Sequence, residues 1–308
     1  MADVPARRLN AVVPDFLCIP QMTFFHHGVP MTPEKKIQTL KETIASKGSL
    51  LVAFSGGVDS SLLAVIAKEI LGKNSRCVML DSPVVPRAEI AEARKIAEDY
   101  GLLLDVIPLN IMDDNRFVKN SPDRCYWCRK NSAEVLKERQ AELGFASIAD
   151  GLNVSDTQEH RPGLKASTEE GIVHPFIEAG ITKSDIRKIS RAHGLYFWDK
   201  PSAACLSSRI PYGDEIVVSR LSMIEEAEKF LHERGFSQCR VRLHGRIARI
   251  ETLNEDMTAL LNMRDILVKR FKKTGFSYIT LDLEGYRTGS MDETPEKTGD
   301  DRVNKSQR

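Results

Sequence analysis

Leu50-Leu51-Val52-Ala53-Phe54-Ser55-Gly56-Gly57-Val58-Asp59-Ser60-Ser61-Leu62-Leu63 decides how the rest of the chain is read. The apolar run from Leu50 to Phe54 predicts a short buried strand. Ser55-Gly56-Gly57 breaks it, and apolar residues return at helical spacing as Leu62, Leu63, Val65, Ile66 and Ile70 before Gly72. The unit is strand, glycine turn, helix. Two adjacent glycines let backbone N–H groups converge on one concavity, which suits an anion. The helix that follows adds its unpaired N–H groups and the positive end of its dipole. Ser55, Ser60 and Ser61 offer hydroxyls to phosphate oxygens. Asp59 would repel a phosphate unless a divalent cation lay between them, so it is the candidate Mg²⁺ ligand. A plain glycine turn is the bland alternative. A lone Gly-Gly would favour it, but the whole Ser-Gly-Gly-Val-Asp-Ser-Ser between strand and helix argues against it.

The turn does not follow the GxxxxGK[ST] pattern of kinases and GTPases. It resembles the SGGxDS pyrophosphate loop (PP-loop) of the ATP-pyrophosphatases. That resemblance implies an adenine nucleotide alpha hydrolase-like fold, with ATP bound at the turn. It also implies activation of a substrate oxygen as an AMP ester, with loss of pyrophosphate.

Downstream, the pattern alternates. Helices are expected at 33–47, Pro86–Tyr100, 128–142 and 182–193. Strands are expected at Cys77–Leu80, Leu102–Ile107, Ser147–Ala149 and Val173–Phe176. This is the α/β doubly wound pattern, with a parallel sheet between helices. Asp81 and the Asp150-Gly151-Leu152-Asn153 segment close strands at the carboxyl edge where ligands of such sheets bind. Beyond residue 214 the style changes. A helix from Ile216 to Arg234 leads to strands at Cys239–Leu243 and Ile247–Glu251, a helix at 256–273 and a strand at Tyr278–Leu283, forming a second, smaller α/β domain. The expected organisation is a poorly ordered extension over 1–30, with Met31 as the functional start, and a nucleotide domain over 31–200. An active-site loop over 201–214, a small C-terminal domain over 215–287 and a disordered polar tail over 288–308 complete it.

Lys and Arg number 44 against 43 Asp and Glu, a formal charge of +1. That balance weighs against a nucleic-acid partner. No apolar run approaches the length of a membrane span, and the expected location is cytoplasmic. Six cysteines stand at 18, 77, 125, 128, 205 and 239, without the look of a secreted disulfide framework. Cys77 and Cys239 lie in apolar strand-like runs and read as inert core thiols. Cys125-Tyr126-Trp127-Cys128 is expected in the loop that opens a helix, and Cys205 lies in Pro201-Ser202-Ala203-Ala204-Cys205-Leu206-Ser207-Ser208-Arg209. Three uses remain open on spacing alone. These are a zinc site, for which a second CxxC is wanting, a [4Fe–4S] cluster on three thiolates with one iron open, and a redox disulfide between Cys125 and Cys128.

Several segments follow one another in a telling order: the glycine turn, AspGlyLeuAsn, Arg161-Pro162-Gly163-Leu164-Lys165-Ala166, the Cys205 segment, Val241-Arg242-Leu243-His244 with Ile247-Ala248-Arg249-Ile250-Glu251, and Thr280-Leu281-Asp282-Leu283-Glu284-Gly285-Tyr286-Arg287. Together, over roughly 33–290, they resemble the LarE family of ATP-dependent sulfur transferases in nickel-pincer nucleotide biosynthesis. The resemblance implies a small nucleotide substrate, pyridinium-3,5-biscarboxylic acid mononucleotide, whose carboxylates are adenylylated and converted to thiocarboxylates. It implies that sulfur comes either from one sacrificed cysteine or from a [4Fe–4S] cluster on three cysteines matching Cys125, Cys128 and Cys205. It further implies Arg209, Arg240 and Arg242 as anchors for substrate phosphate and carboxylates, with Arg161 and Lys165 nearby, and a homo-oligomer. Two other readings differ in what they predict: a tRNA thiolase would need an RNA surface, and a non-catalytic ATP- or zinc-binding module would release no pyrophosphate.

Overall fold

The computed structural model describes residues 32–158 and 162–287. The expectations for 1–31 and 288–308, and for Arg161, lie outside the described residues. Four parallel strands form the first sheet: β1 (Leu50–Ala53), β2 (Ser75–Asp81), β3 (Leu104–Pro108) and β4 (Ser147–Ala149), in the order β3-β2-β1-β4. The strands alternate between two buried faces, as a doubly covered parallel sheet requires. Leu50, Val52, Cys77, Met79 and Ala149 join one apolar cluster. Helices α1 (Pro33–Ser46), α2 (Val58–Leu71), α3 (Arg87–Asp99) and, across a chain crossover, α8 (Lys183–Ala192) bring Leu40, Ile66, Ile96 and Ile186 to that same cluster. Leu51, Val78 and Ile148 point the other way, onto Ala133 and Leu136 of α5 (Arg124–Leu143).

Because β1 lies between β2 and β4, the crossovers depart in opposite directions from it. The carboxyl ends of β1 and β4 therefore flank the crevice where such sheets bind ligands. The turn after β1 holds Gly56 and Gly57, and the turn after β4 holds Asp150 and Gly151. Both sequence segments thus reach one place.

Two expectations for this part of the chain change. The strand expected at Val173–Phe176 is a single bridge from Val173 to Ala149, and the chain then coils into α7 (Pro175–Glu178). Pro175 has no N–H for a sheet ladder and sits at the first position of a helical turn, which suits its fixed φ. The CxxC is not in the loop before α5. Helix starts at Arg124, so Cys125 and Cys128 both lie near its N-terminal end, three residues apart on one side. The short α4 (Asn115–Val118) precedes α5, and α6 (Pro162–Glu169) packs against α5.

The second sheet is small, ordered β5-β6-β7, with β5 (Cys239–His244) antiparallel to β6 (Ile247–Thr252) and β6 parallel to β7 (Tyr278–Leu281). One face carries Cys239, Val241, Leu243, Ala248 and Ile250 into a core with α9 (Val218–His232) and α11 (Arg264–Thr274). The helix expected over 256–273 is interrupted at Met263, giving α10 (Met257–Asn262) and then α11. Leu206 and Ile210, from the segment 201–214, and Val84, Ile111 and Phe117, from the first half of the chain, share this core. The segment before the small domain is therefore pinned through its middle by Leu206 and Ile210.

Candidate active site

At the turn after β1, Gly56 has φ +73°, a conformation open mainly to glycine. A Cβ there would also lie 2.8 Å from the Ala93 Cβ of α3. Gly57 caps α2, and its N–H and the hydroxyls of Ser55 and Ser60 close on each other: Ser55 Oγ to Ser60 Oγ is 3.0 Å and the Gly57 N–H donates to Ser55 Oγ at 3.4 Å. The Ser60 Oγ also lies 3.2 Å from the Gly57 carbonyl oxygen. Ser61 is fully buried, and its hydroxyl makes no hydrogen bond to the described residues. Of the three serines, Ser55 and Ser60 lie at the concavity, whereas Ser61 is packed beneath it.

Asp59, on the first turn of α2, accepts a hydrogen bond from Asn153 Nδ2 at 3.2 Å, and Lys183 Nζ stands 3.8 Å from the same oxygen. Burial raises the Asp59 pKa, with Lys183 opposing and Asp156 reinforcing the shift. The segment after β4 reaches this close because of Gly151: a Cβ there would stand 2.8 Å from Ser60 N and 3.0 Å from the Asp59 carbonyl carbon. Asp150 is buried, pairs with His174 Nδ1 at 2.8 Å and lies 4.0 Å from Arg129. Asn153, Asp156 and Lys183 are the site members that sequence reading did not assign a role. Only the Asp-Gly-Leu-Asn segment signalled any of them.

Cys125 is exposed, while Cys128 and Cys205 are partly buried against the apolar core of the small sheet. Burial pushes the Cys128 thiol up to about 12, and the charges of Cys205 and then Cys125 push the same way, which only neighbouring groups do. Cys128 and Cys205 pack against the same apolar core, and Cys125 lies three residues before Cys128 on α5. Among the described residues no three His, Cys, Asp or Glu side chains stand in metal-holding geometry. Trp127, between the two cysteines in sequence, has polar partners. Its Nε1 donates to Asp123 at 2.9 Å, and the Arg116 guanidinium stacks on its ring at 4.0 Å.

The polar face of the small sheet lies against the Cys205 segment. Arg209 is almost wholly buried, forks onto Glu228 (Nε–Oε1 3.0 Å, Nη2–Oε2 3.1 Å) and donates through Nη1 to the carbonyls of Ala204 (2.8 Å) and Cys205 (2.9 Å). Through these bonds it clamps the loop that carries Cys205. Arg242 forks onto buried Glu251 (3.0 and 2.7 Å) and donates to the Ser208 carbonyl at 3.1 Å. Arg240 donates to the Cys239 carbonyl at 2.7 Å and the Ser202 carbonyl at 3.3 Å, and lies 5.4 Å from the Tyr286 ring. Burial, then the Arg209 and Arg242 cations, lower its pKa despite Glu228. His244 shares this strand face; burial and Arg249 lower its pKa, so its ring is neutral at pH 7. The face is neither solvated nor apolar, but a buried cluster rich in guanidinium groups.

Ser202 joins the two halves. Its hydroxyl accepts from Lys183 Nζ at 3.3 Å and its carbonyl from Arg240, so Asp59, Lys183, Ser202 and Arg240 form a continuous polar path, with Cys205 three residues further on. No helix of the described residues is long and apolar enough to cross a membrane.

Comparison with known proteins fits this layout. The NAD synthase family model matches residues 34–139, the part that holds the glycine turn. An uncharacterized protein of Synechocystis sp. is 36% identical over 260 residues, covering 84% of this chain and 97% of the relative. GMP synthase [glutamine-hydrolyzing] of Clostridium botulinum is 27% identical over 227 residues, 65% of this chain but 42% of that protein. The pyridinium-3,5-bisthiocarboxylic acid mononucleotide synthase of Lactiplantibacillus plantarum is 34% identical over 260 residues, covering 84% of this chain and 94% of that enzyme. The chain belongs to the family of that synthase, the LarE-type sulfur transferases with a PP-loop nucleotide domain.

Proposed function

We propose that this protein is an ATP-dependent sulfur transferase that converts the carboxylates of pyridinium-3,5-biscarboxylic acid mononucleotide into thiocarboxylates. The observation that carries the reading is the polar path from Asp59 through Lys183 and Ser202 to Arg240, which joins a pyrophosphate loop to a cationic face beside Cys205. A carboxylate is a poor electrophile. Its oxygen attacks the α-phosphorus of ATP, the bond to the β-phosphate oxygen breaks, and pyrophosphate leaves. Sulfur then attacks the acyl carbon, and AMP departs with the oxygen.

The residues divide this work. The Gly56–Gly57 turn and the hydroxyls of Ser55 and Ser60 receive the β- and γ-phosphates, and Ser61 supports them from beneath. Asp59, with Asn153 and Lys183 aligning its carboxylate, is the ligand for Mg²⁺, which would neutralise the departing pyrophosphate. Arg240 and Arg242 orient the substrate's anionic groups, and Arg209 holds the backbone that carries Cys205.

For the sulfur, Cys125, Cys128 and Cys205 are the residues that would hold a [4Fe–4S] cluster: Cys125 and Cys128 stand three residues apart on α5, and Cys128 and Cys205 pack against one apolar core. When bound, such a cluster would supply a nucleophilic sulfide from its open iron. The proposed domain limits are 31–200 for the nucleotide part and 215–287 for the small C-terminal part. The test is iron and acid-labile sulfide per chain on protein purified without oxygen, together with thiocarboxylate formation from ATP and the biscarboxylate mononucleotide. About four irons per chain, lost in Cys128→Ala, supports the cluster. Iron-free protein that converts at most one carboxylate per chain supports Cys205 as a consumed donor. No pyrophosphate release with this substrate sinks the proposal.

A further inference from the structure

Lys200 stands 144 residues from the glycine turn and five before Cys205, in a stretch with no pattern that marks it. Its side chain is only 10% exposed. The ammonium donates to the Gly56 carbonyl at 3.2 Å and lies 2.8 Å from both Glu89 Oε2 and Glu92 Oε2. Glu89, Glu92 and Ala93 occupy one side of α3, the side on which Gly56 rests. The Lys200 backbone is fixed in turn. Arg187 of α8 donates to the carbonyls of Trp198 at 3.1 Å and Lys200 at 2.9 Å.

From this geometry we infer that Lys200 is a positioning residue for the pyrophosphate loop. The inference rests on the reading of the glycine turn as the site of the β- and γ-phosphates. The Gly56 carbonyl and the Gly57 N–H belong to one planar peptide and point in opposite directions. Holding the carbonyl on Lys200 therefore aims the Gly57 N–H at the side where the Ser55 and Ser60 hydroxyls meet. A glycine pair has the freedom to turn that peptide over, and the lysine removes the freedom. The ammonium has a second effect. Two carboxylates of α3 stand behind a loop that must accept a polyanion, and Lys200 offsets one of their two charges at contact distance. Both effects act on the β- and γ-phosphates and neither touches the adenosine.

The test compares binding of ATP and of AMP, each with Mg²⁺, to the full chain by titration calorimetry. Lys200→Met should weaken ATP by about tenfold or more, the effect of losing a charged hydrogen-bond donor, and should leave AMP nearly unchanged. Lys200→Gln keeps a donor for the Gly56 carbonyl but loses the charge, and should fall between. It also serves if the Met variant does not fold. ATP and AMP weakened alike, or ATP unaffected, would overturn the inference. Wild-type protein that bound ATP no better than AMP would overturn the loop reading and this inference with it. No sulfur acceptor enters the experiment, so a wrong substrate in the proposed reaction would leave this result standing.

Discussion

Arg209 and Glu228 form a buried fork, with Nε–Oε1 at 3.0 Å and Nη2–Oε2 at 3.1 Å, and the same Glu228 Oε1 accepts the Val241 N–H of β5 at 2.9 Å. β5 is the edge of its sheet, so Glu228 occupies an otherwise open ladder position while it holds the clamp on the Cys205 carbonyl. Burial works against the Arg209 charge, and Glu228 more than offsets it.

Removing one partner of such a pair leaves an uncompensated buried charge, which costs about 3–5 kcal/mol. Glu228→Gln should therefore lower stability in urea by roughly that amount, and should speed alkylation of Cys205 as its loop loosens. Joint replacement by apolar residues, Arg209→Met with Glu228→Leu, should recover most of the stability. It should not recover sulfur transfer, because the Ala204 and Cys205 carbonyls stay unclamped. Full activity in the double variant would show that the clamp is structural filler.

Arg240 predicts the opposite sign. Among the described residues this buried cation has no carboxylate in ion-pair contact, it stands next to two further guanidinium groups, and its charge is disfavoured there. Arg240→Met should leave stability unchanged or raise it. The same change should raise the KM for the mononucleotide by about tenfold or more if the residue anchors an anion. A destabilised variant with an unchanged KM would assign Arg240 to the fold alone.

Gly151 has ordinary backbone angles, so its need for glycine is spatial. A methyl group there meets the Asp59 carbonyl carbon and the Ser60 nitrogen, both backbone atoms that cannot step aside. Gly151→Ala should push the segment after β4 off the first turn of α2 and lower stability by about 1–3 kcal/mol, the usual cost of overpacking. It should also separate Asn153 from Asp59. ATP affinity falling together with stability is the expected result of titration and denaturation on one sample. Wild-type values in both would mean that the contact relaxes freely.

What could be read from the sequence followed the range of the cause. The strand, glycine turn and helix around Gly56 are set by neighbours in the chain, and so is the alternation that divides Leu51 from Leu50 and Val52 between two cores. The partners of those residues were not legible. Lys183 and Lys200 reach Asp59 and Gly56 from well over a hundred residues away, and lysines on polar stretches carry no pattern that separates a buried tether from a solvated charge. The strand face of Arg240 and Arg242 was visible by its period of two. Its burial was not, because that depends on Glu228, Glu251 and the Cys205 segment folding over it. At Val173–Phe176 a strand was expected, and Pro175 overruled it by lacking the N–H that a ladder needs.

Asp59 yields a prediction in pH. Burial raises its pKa above the ordinary 3.8, so the folded protein holds that proton to a higher pH than the unfolded chain does. An acid with a raised folded pKa destabilises the fold when ionised. Its contribution is harmless below pH 3.8, grows as pH rises toward the folded value, and is constant above it. Asp59→Asn removes this term and keeps the side chain's size. It should therefore raise the melting temperature relative to wild type at pH 7, with the gap closing as the pH is lowered toward 3.8. The same variant should lose most pyrophosphate release, since a neutral amide is a weak ligand for Mg²⁺. Melting curves across pH and a pyrophosphate assay on one preparation check both. A variant less stable than wild type at pH 7 would show that the contacts with Asn153 and Lys183 outweigh burial. A stabilised variant with undiminished pyrophosphate release would remove Asp59 from the metal site and leave its carboxylate without a role in the chemistry.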